Sequence, residues 1–137
     1  MNRTPAQSAA LLAGLVFIAL GILAFVPLIT SDVGGMSFAG HGSGARLIGV
    51  FRVSVLDNAI HILLGLAGVA LARTTSGARQ YLVGGGVAFL VLWVLGIVNA
   101  GKWIPVNAAD DWLHLGIGVG LIGLGFATSS SMRAQPS

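Results

Sequence analysis

The sequence predicts an all-α membrane protein: a bundle of four transmembrane helices built as two parallel helical-hairpin repeats. Three observations lead there: a composition too poor in charge for water, four apolar runs of spanning length, and a polar motif that occurs twice. Of 137 residues, 55% are hydrophobic and only 8% charged, where a soluble domain carries about a quarter. So few charges cannot keep a surface wetted, so the solvent must be lipid, and the length allows one domain. The seven Lys and Arg are scattered along the chain, which argues against a nucleic-acid partner. Cysteine is absent, which excludes disulfides, thiolate metal sites, iron–sulfur clusters and CxxCH haem attachment.

A hydrocarbon core about 30 Å thick needs about 20 apolar helical residues, with about 17 as the lower bound. The first run, "AALLAGLVFIALGILAFVPLI" (9–29), carries no charge. Arg3 precedes it in the manner of a secretory signal, but the run is too long for a signal core and lacks an A-x-A exit. It therefore reads as an uncleaved first helix. The second, "LDNAIHILLGLAGVALA" (56–72), the third, "YLVGGGVAFLVLWVLGIV" (81–98), and the fourth, "DDWLHLGIGVGLIGLGFA" (110–127), complete a single domain over 1–132. The hydroxyl-rich end "TSSSMRAQPS" reads as disordered, with 133–137 as a free tail. Between the first two spans lies a long loop. Its first half is glycine-rich and flexible, with His41 solvated; its end, "ARLIGVFR", lies at the membrane surface or dips into the bundle.

Orientation follows from the cations. Arg3, Arg73, Arg79 and Arg133 fall on one side, and Arg46, Arg52 and Lys102 on the other. Four against three puts both termini of a multi-pass protein in the cytoplasm. Asp32, Asp57, Asp110 and Asp111 then share the outer side. Trp103 and Trp112 fall at the outer interface and Tyr81 at the inner one, as an aromatic belt requires.

Sliding the chain by 53 residues lays the second span on the fourth. Val53, Ser54, Asp57, Asn58, His61 and Gly65 fall on Val106, Asn107, Asp110, Asp111, His114 and Gly118. Further on, Leu71, Thr75 and Ser76 fall on Leu124, Thr128 and Ser129. The first and third spans align as Gly14, Phe17, Leu20, Leu23 and Val26 on Gly86, Phe89, Leu92, Leu95 and Val98. Two spans return the chain to its starting side, so the copies are parallel and related by a two-fold axis along the membrane normal. Glycine and alanine at near-helical spacing (Gly14 and Gly21; Gly65, Gly68 and Ala72; Gly116 and Gly120) suit close backbone approach, which lipid-embedded helices need. Neither "GGG" nor "GIGVG" follows a strand, so neither is a nucleotide loop.

Within the doubled element, "SVLD" and "NAAD" fit the capping box, with Ser54 and Asn107 as N-caps and Asp57 and Asp110 at the third helical position. The acids also meet the positive end of the helix dipole. Capping does not explain His61 and His114, one turn deeper on the same face. Ionisable groups inside a membrane face the bundle interior and are paired, and the nearest partner is the aspartate four residues back. Three other chemistries fit these residue types. Two facing Asp-x-x-x-His pairs would offer a His₂Asp₂ set to a divalent transition metal. Two facing histidines would ligate a haem. Histidines titrating beside acids would relay protons.

Taken together, "GVFRVSVLDNAIHILLGLAGVALAR" and "PVNAADDWLHLGIGVGLIGLG" resemble the bacterial membrane family called domain of unknown function 4383, from the first span to the fourth. The stretch from Pro105 to Gly118 is the more specific. The resemblance implies a four-helix integral membrane protein with an N-x-x-H element at both places, here Asn58/His61 and Asp111/His114. Asp57 stands where the family often has histidine, and Asp111 where asparagine is usual.

The functional expectation is a non-catalytic membrane protein, an accessory subunit or self-associating module. Its partners would be the lipid bilayer and further copies or a larger membrane complex. Asp57, Asn58, His61, Asp110, Asp111 and His114 would knit the outer ends of helices two and four, with no cofactor. The alternative uses the same residues as ligands of a metal or haem, in an oxidoreductase component. A proton-coupled transporter is a third class, set back by having four spans and no broken helix.

Overall fold

The computed structural model describes residues 2–40, 42–98 and 107–133, with side chains to residue 129. His41, Lys102, Trp103 and Val106, and the side chain of Arg133, lie outside the described residues, so the expectations placed on them are not met or missed here.

Helix α1 (Pro5–Leu23) begins four residues before the predicted span because of a capping box that the apolar pattern hides. The Gln7 N–H donates to Thr4 Oγ1 at 3.3 Å and the Thr4 N–H to Gln7 Oε1 at 3.0 Å, with Pro5 at the first helical position. Proline is tolerated there because that N–H would be unpaired anyway. Thr4→Ala should lower stability by about 1 kcal/mol, read as a fall in the thermal midpoint of the detergent-solubilised protein. The helix stops short of residue 29 because Pro27 has no N–H for the Leu23 carbonyl. The chain tightens instead, with Phe25 N–H on Ile22 O and Val26 N–H on Leu23 O at 3.0 Å. Thr30 Oγ1 donates to Leu23 O at 3.4 Å.

Helix α2 (Val55–Leu71) is capped by Ser54, and α3 (Thr75–Ile97) by Thr74, so only Ala72–Thr74 separates them. Helix α4 (Ala108–Arg133) runs past the predicted 127. Thr128 and Ser129 donate back to Leu124 O (2.7 Å) and Gly125 O (2.8 Å), which lets hydroxyl residues expected in a disordered tail continue the helix. Residues 134–137 are outside the described set.

Helix α1 lies along α2, and α3 along α4. The two pairs join through α1 against α3 and α4, and α2 against α3, while α2 and α4 do not pack along each other. Glycines make the close contacts. A Cβ on Gly65 would stand 2.5 Å from Gly14 O and 2.7 Å from Ile18 N; one on Gly86 would stand 2.7 Å from Gly118 O. Phe17 of α1 stacks on Phe89 of α3, ring centres 5.3 Å apart, in a core with Leu82, Leu121 and Tyr81. Tyr81 is therefore not a belt residue. It is buried against α2, where a Cβ on Gly68 would meet its ring at 2.6 Å; the missing side chain at Gly68 makes room for it. Trp112, by contrast, is exposed.

At one end, Thr4 and Thr75 share a hydroxyl bond of 3.3 Å, Gln7 Nε2 donates to Arg73 O, and Arg79 Nη2 donates to Thr128 O. The N-terminus, the α2–α3 turn and the last turns of α4 thus lie together, as the grouping of cations required. The other end is covered by residues 30–40 and 42–52, whose backbone is tied by hydrogen bonds where flexibility was expected. Three two-residue strands, β1 (Thr30–Ser31), β2 (Arg46–Leu47) and β3 (Phe51–Arg52), form an antiparallel sheet in that order, with Thr30 opposite Leu47 and Leu47 opposite Phe51. Ala24, Ala45 and Val53 form a small core beneath it with Met36 and Leu47. The loop also serves α2, since the orphan N–H groups of Val55 and Leu56 donate to Ser37 O and Phe38 O, as free helix N-termini demand.

Helices α1 and α3, and α4 over Ala108–Ser129, are long and apolar enough to cross a membrane, with only 22–28% of their apolar windows buried. Helix α2, at 17 residues, is shorter, about 25 Å of helix. Leu12, Leu63, Val91, Val119 and Phe126 all face outward, a continuous apolar exterior that marks a membrane or partner surface.

Candidate functional site: a cavity beneath the loop sheet

A cavity of about 230 Å³ lies between the loop sheet and the helix ends beneath it. Leu20 and Leu23 of α1 and Leu47, Ile48, Phe51 and Val53 of the loop give it apolar walls; Asp57, Asn58 and His61 of α2 and Asp110, Leu113 and His114 of α4 complete them. Five of the six predicted polar residues therefore meet at one cavity although their helices do not pack together. Asp111 does not. One helical position on from Asp110, it faces α3, where only glycine at position 96 leaves space for its carboxylate.

The two halves of the doubled element are built differently. At α4 the capping box is complete: the Asp110 N–H donates to Asn107 Oδ1 at 3.0 Å, and the Asn107 N–H to Asp110 Oδ2 at 2.7 Å. The same carboxylate oxygen accepts the Arg52 N–H at 3.3 Å, and Asn107 Nδ2 donates to Val50 O at 2.8 Å. Asp110 is thus buried with its charge spent on backbone donors from its own helix and from β3. At α2 only half the box forms. The Asp57 N–H donates to Ser54 Oγ at 3.1 Å, and the Asp57 carboxylate makes no return bond.

The expected carboxylate–imidazole bond is also replaced. His61 Nδ1 is 2.9 Å from the Asp57 carbonyl and 3.6 Å from its Oδ2; the longer distance is not a hydrogen bond. A carbonyl only accepts, so Nδ1 carries a proton. The carbonyl wins because it lies one turn back in the helix, within direct reach of the ring. His114 lies across the site, buried, with Nδ1 lacking a partner among the described residues. Both imidazoles tilt against Phe89, at 6.5 Å from His61 and 5.6 Å from His114, and His61 also meets Phe17 at 6.0 Å. Asn58, fully buried, directs Nδ2 to Met36 Sδ of the loop at 3.5 Å. Among the described residues, no three His, Asp or Glu side chains are arranged to hold a metal ion.

The loop, not direct contact, joins α2 to α4: residues 37–38 hold the start of one and Val50 and Arg52 the start of the other. The apolar "LIGVF" between two arginines, expected at the membrane surface or dipping into the bundle, supplies Leu47, Ile48 and Phe51 to the wall. Ile48 within it has φ 46°, a left-handed conformation that costs a β-branched residue about 1–3 kcal/mol. It is held there by its N–H on Ile29 O at 2.8 Å.

These features define a class: a small helical bundle with lipid-compatible outer faces, helices of spanning length, and a lined cavity at one end. Within that class, the chain belongs to the family described as Domain of unknown function (DUF4383), which it matches over residues 7–127. No curated protein and no solved structure matches it.

Proposed function

We propose that the chain is a four-span, non-catalytic integral membrane protein of the bacterial inner membrane, with both termini cytoplasmic and its loop sheet and cavity on the outer side. It serves as an accessory subunit or self-associating module, and its Asp/His cluster stabilises the outer ends of α2 and α4. The observation that carries this reading is the outward apolar surface, with under a third of each spanning window buried. The short α2 reaches across by local thinning of the bilayer, at a modest cost. A tandem-hairpin origin is supported by three coincidences. Gly14 meets Gly65 as Gly86 meets Gly118, Phe17 stacks on its counterpart Phe89, and His61 and His114 both lie against that stack. The metal or haem alternative keeps the same residues and is tested by elemental analysis and an absorption spectrum of the purified protein.

The absence of cysteine makes topology directly measurable. Single cysteines at Asn2 and Ser137 should resist a membrane-impermeant maleimide in intact cells, and one at Phe38 should react. Labelling of all three, or the reverse pattern, overturns the assigned orientation.

A further inference from the structure

We propose that the outer cavity binds a small organic cation, an ammonium group carried on a compact apolar body. The proposal rests on reading the Asp/His cluster as a cavity wall rather than a metal centre. An apolar protein cavity of about 150 Å³ takes up benzene, so about 230 Å³ has room for a ring with a short side chain. Leu20, Leu23, Phe51 and Leu113 supply the apolar surface for that body.

The charged groups in the wall select the head group: two carboxylates, Asp57 and Asp110, against one guanidinium, Arg52. Asp57 accepts no hydrogen bond from any described residue, and the His61 ring lies 3.6 Å away. His61 spends its Nδ1–H on the Asp57 carbonyl. Asp110 adds a second negative charge. His114, 7% exposed, lines the same cavity with Nδ1 unpartnered. Arg52 also enters the wall, with its backbone N–H committed to Asp110 and interactions of its own.

Asp57, partly exposed, keeps both carboxylate oxygens free to accept at the cavity, and an ammonium supplies up to three donors with the matching charge. An anion would face two carboxylates. A neutral apolar guest would leave the acceptors unpaired, the circumstance in which polar sites discriminate most strongly.

The test uses the full-length protein in lipid nanodiscs, titrated calorimetrically with phenethylammonium and with 2-phenylethanol. Saturable binding of the ammonium, at least tenfold tighter than the alcohol, is expected. Asp57→Asn should remove that tenfold preference while the protein stays folded, as read by circular dichroism. Leu113→Trp should fill the cavity and abolish binding with both carboxylates in place. Equal affinity for the two probes, no binding of either, or an unchanged preference in Asp57→Asn overturns the proposal. Saturable zinc binding that excludes the ammonium overturns it too, and with it the cavity-wall reading. Failure to bind alongside the expected cysteine labelling sinks this inference alone.

Discussion

Gly65→Ala is expected to unfold the first hairpin at temperatures where the native protein is intact. The added methyl would lie 2.5 Å from Gly14 O and 2.7 Å from Ile18 N, and backbone atoms cannot step aside as a side-chain end can. Overpacking typically costs about 1–3 kcal/mol, and here the two helices must separate along their length, so the loss should reach about 3 kcal/mol or more. Gly118→Ala, whose methyl meets Leu90 Cγ at 2.9 Å and Gly86 O at 3.0 Å, should cost less, because the leucine can turn. Gly120→Ala is the control. Nothing lies within 4 Å of that position, and alanine's helix preference should leave stability unchanged or raised by up to about 1 kcal/mol. Thermal unfolding in detergent, followed by helical circular dichroism, reads all three. Equal behaviour of Gly65→Ala and Gly120→Ala would mean that glycine contacts do not hold the bundle.

The second large effect is an asymmetry between two aspartates that look equivalent in the sequence. Asp110→Ala strips the acceptor from two backbone donors, Asn107 N–H and Arg52 N–H. An unsatisfied buried donor costs about 1–3 kcal/mol, so a combined loss of about 3 kcal/mol is expected. The damage should also reach the loop, because the Arg52 bond ties β3 to α4; trypsin should cut at Arg46 and Arg52 faster than in the native protein. Asp57→Ala loses no capping bond from its carboxylate and should cost well under half as much, with the loop as resistant as before. Equal destabilisation by the two substitutions would show that the two helix starts are built alike after all.

Much of this molecule is legible from local spacing. The apolar runs locate the four helices, and Ser54 and Asn107 announce two of their starts, because a cap acts three residues away and needs nothing beyond the helix it begins. Gly14, Gly21, Gly65 and Gly68 mark the contact face of the first hairpin. Gly116 and Gly120, expected to do the same in the fourth span, have nothing within 4 Å of an added Cβ, and Gly118 makes that contact instead. The polar doublet points to one end of the bundle. Helix limits are less legible. Thr4 and Gln7 extend α1 forward by a polar device that hydropathy does not register, Pro27 ends it inside an unbroken apolar run, and Thr128 and Ser129 prolong α4 by bonding back to its own carbonyls. The loop misled most. Its glycines suggest flexibility, yet Ser37, Phe38, Val50 and Arg52 spend their backbone groups on helix ends that lie far along the chain.

Composition and local spacing alone determined that these helices are apolar enough for lipid, where they run, and which residues begin two of them. Those properties depend on how many polar groups the chain has and on neighbours within one helical turn. Only the tertiary structure decided that Asp110 is bound to Arg52, 58 residues away, while Asp57 is left open and Asp111 turns to α3, and that the loop closes a cavity over both histidines. Each of these depends on which distant backbone donor reaches a given carboxylate first, and that is set by the packing of α1 against α3 between the two polar ends.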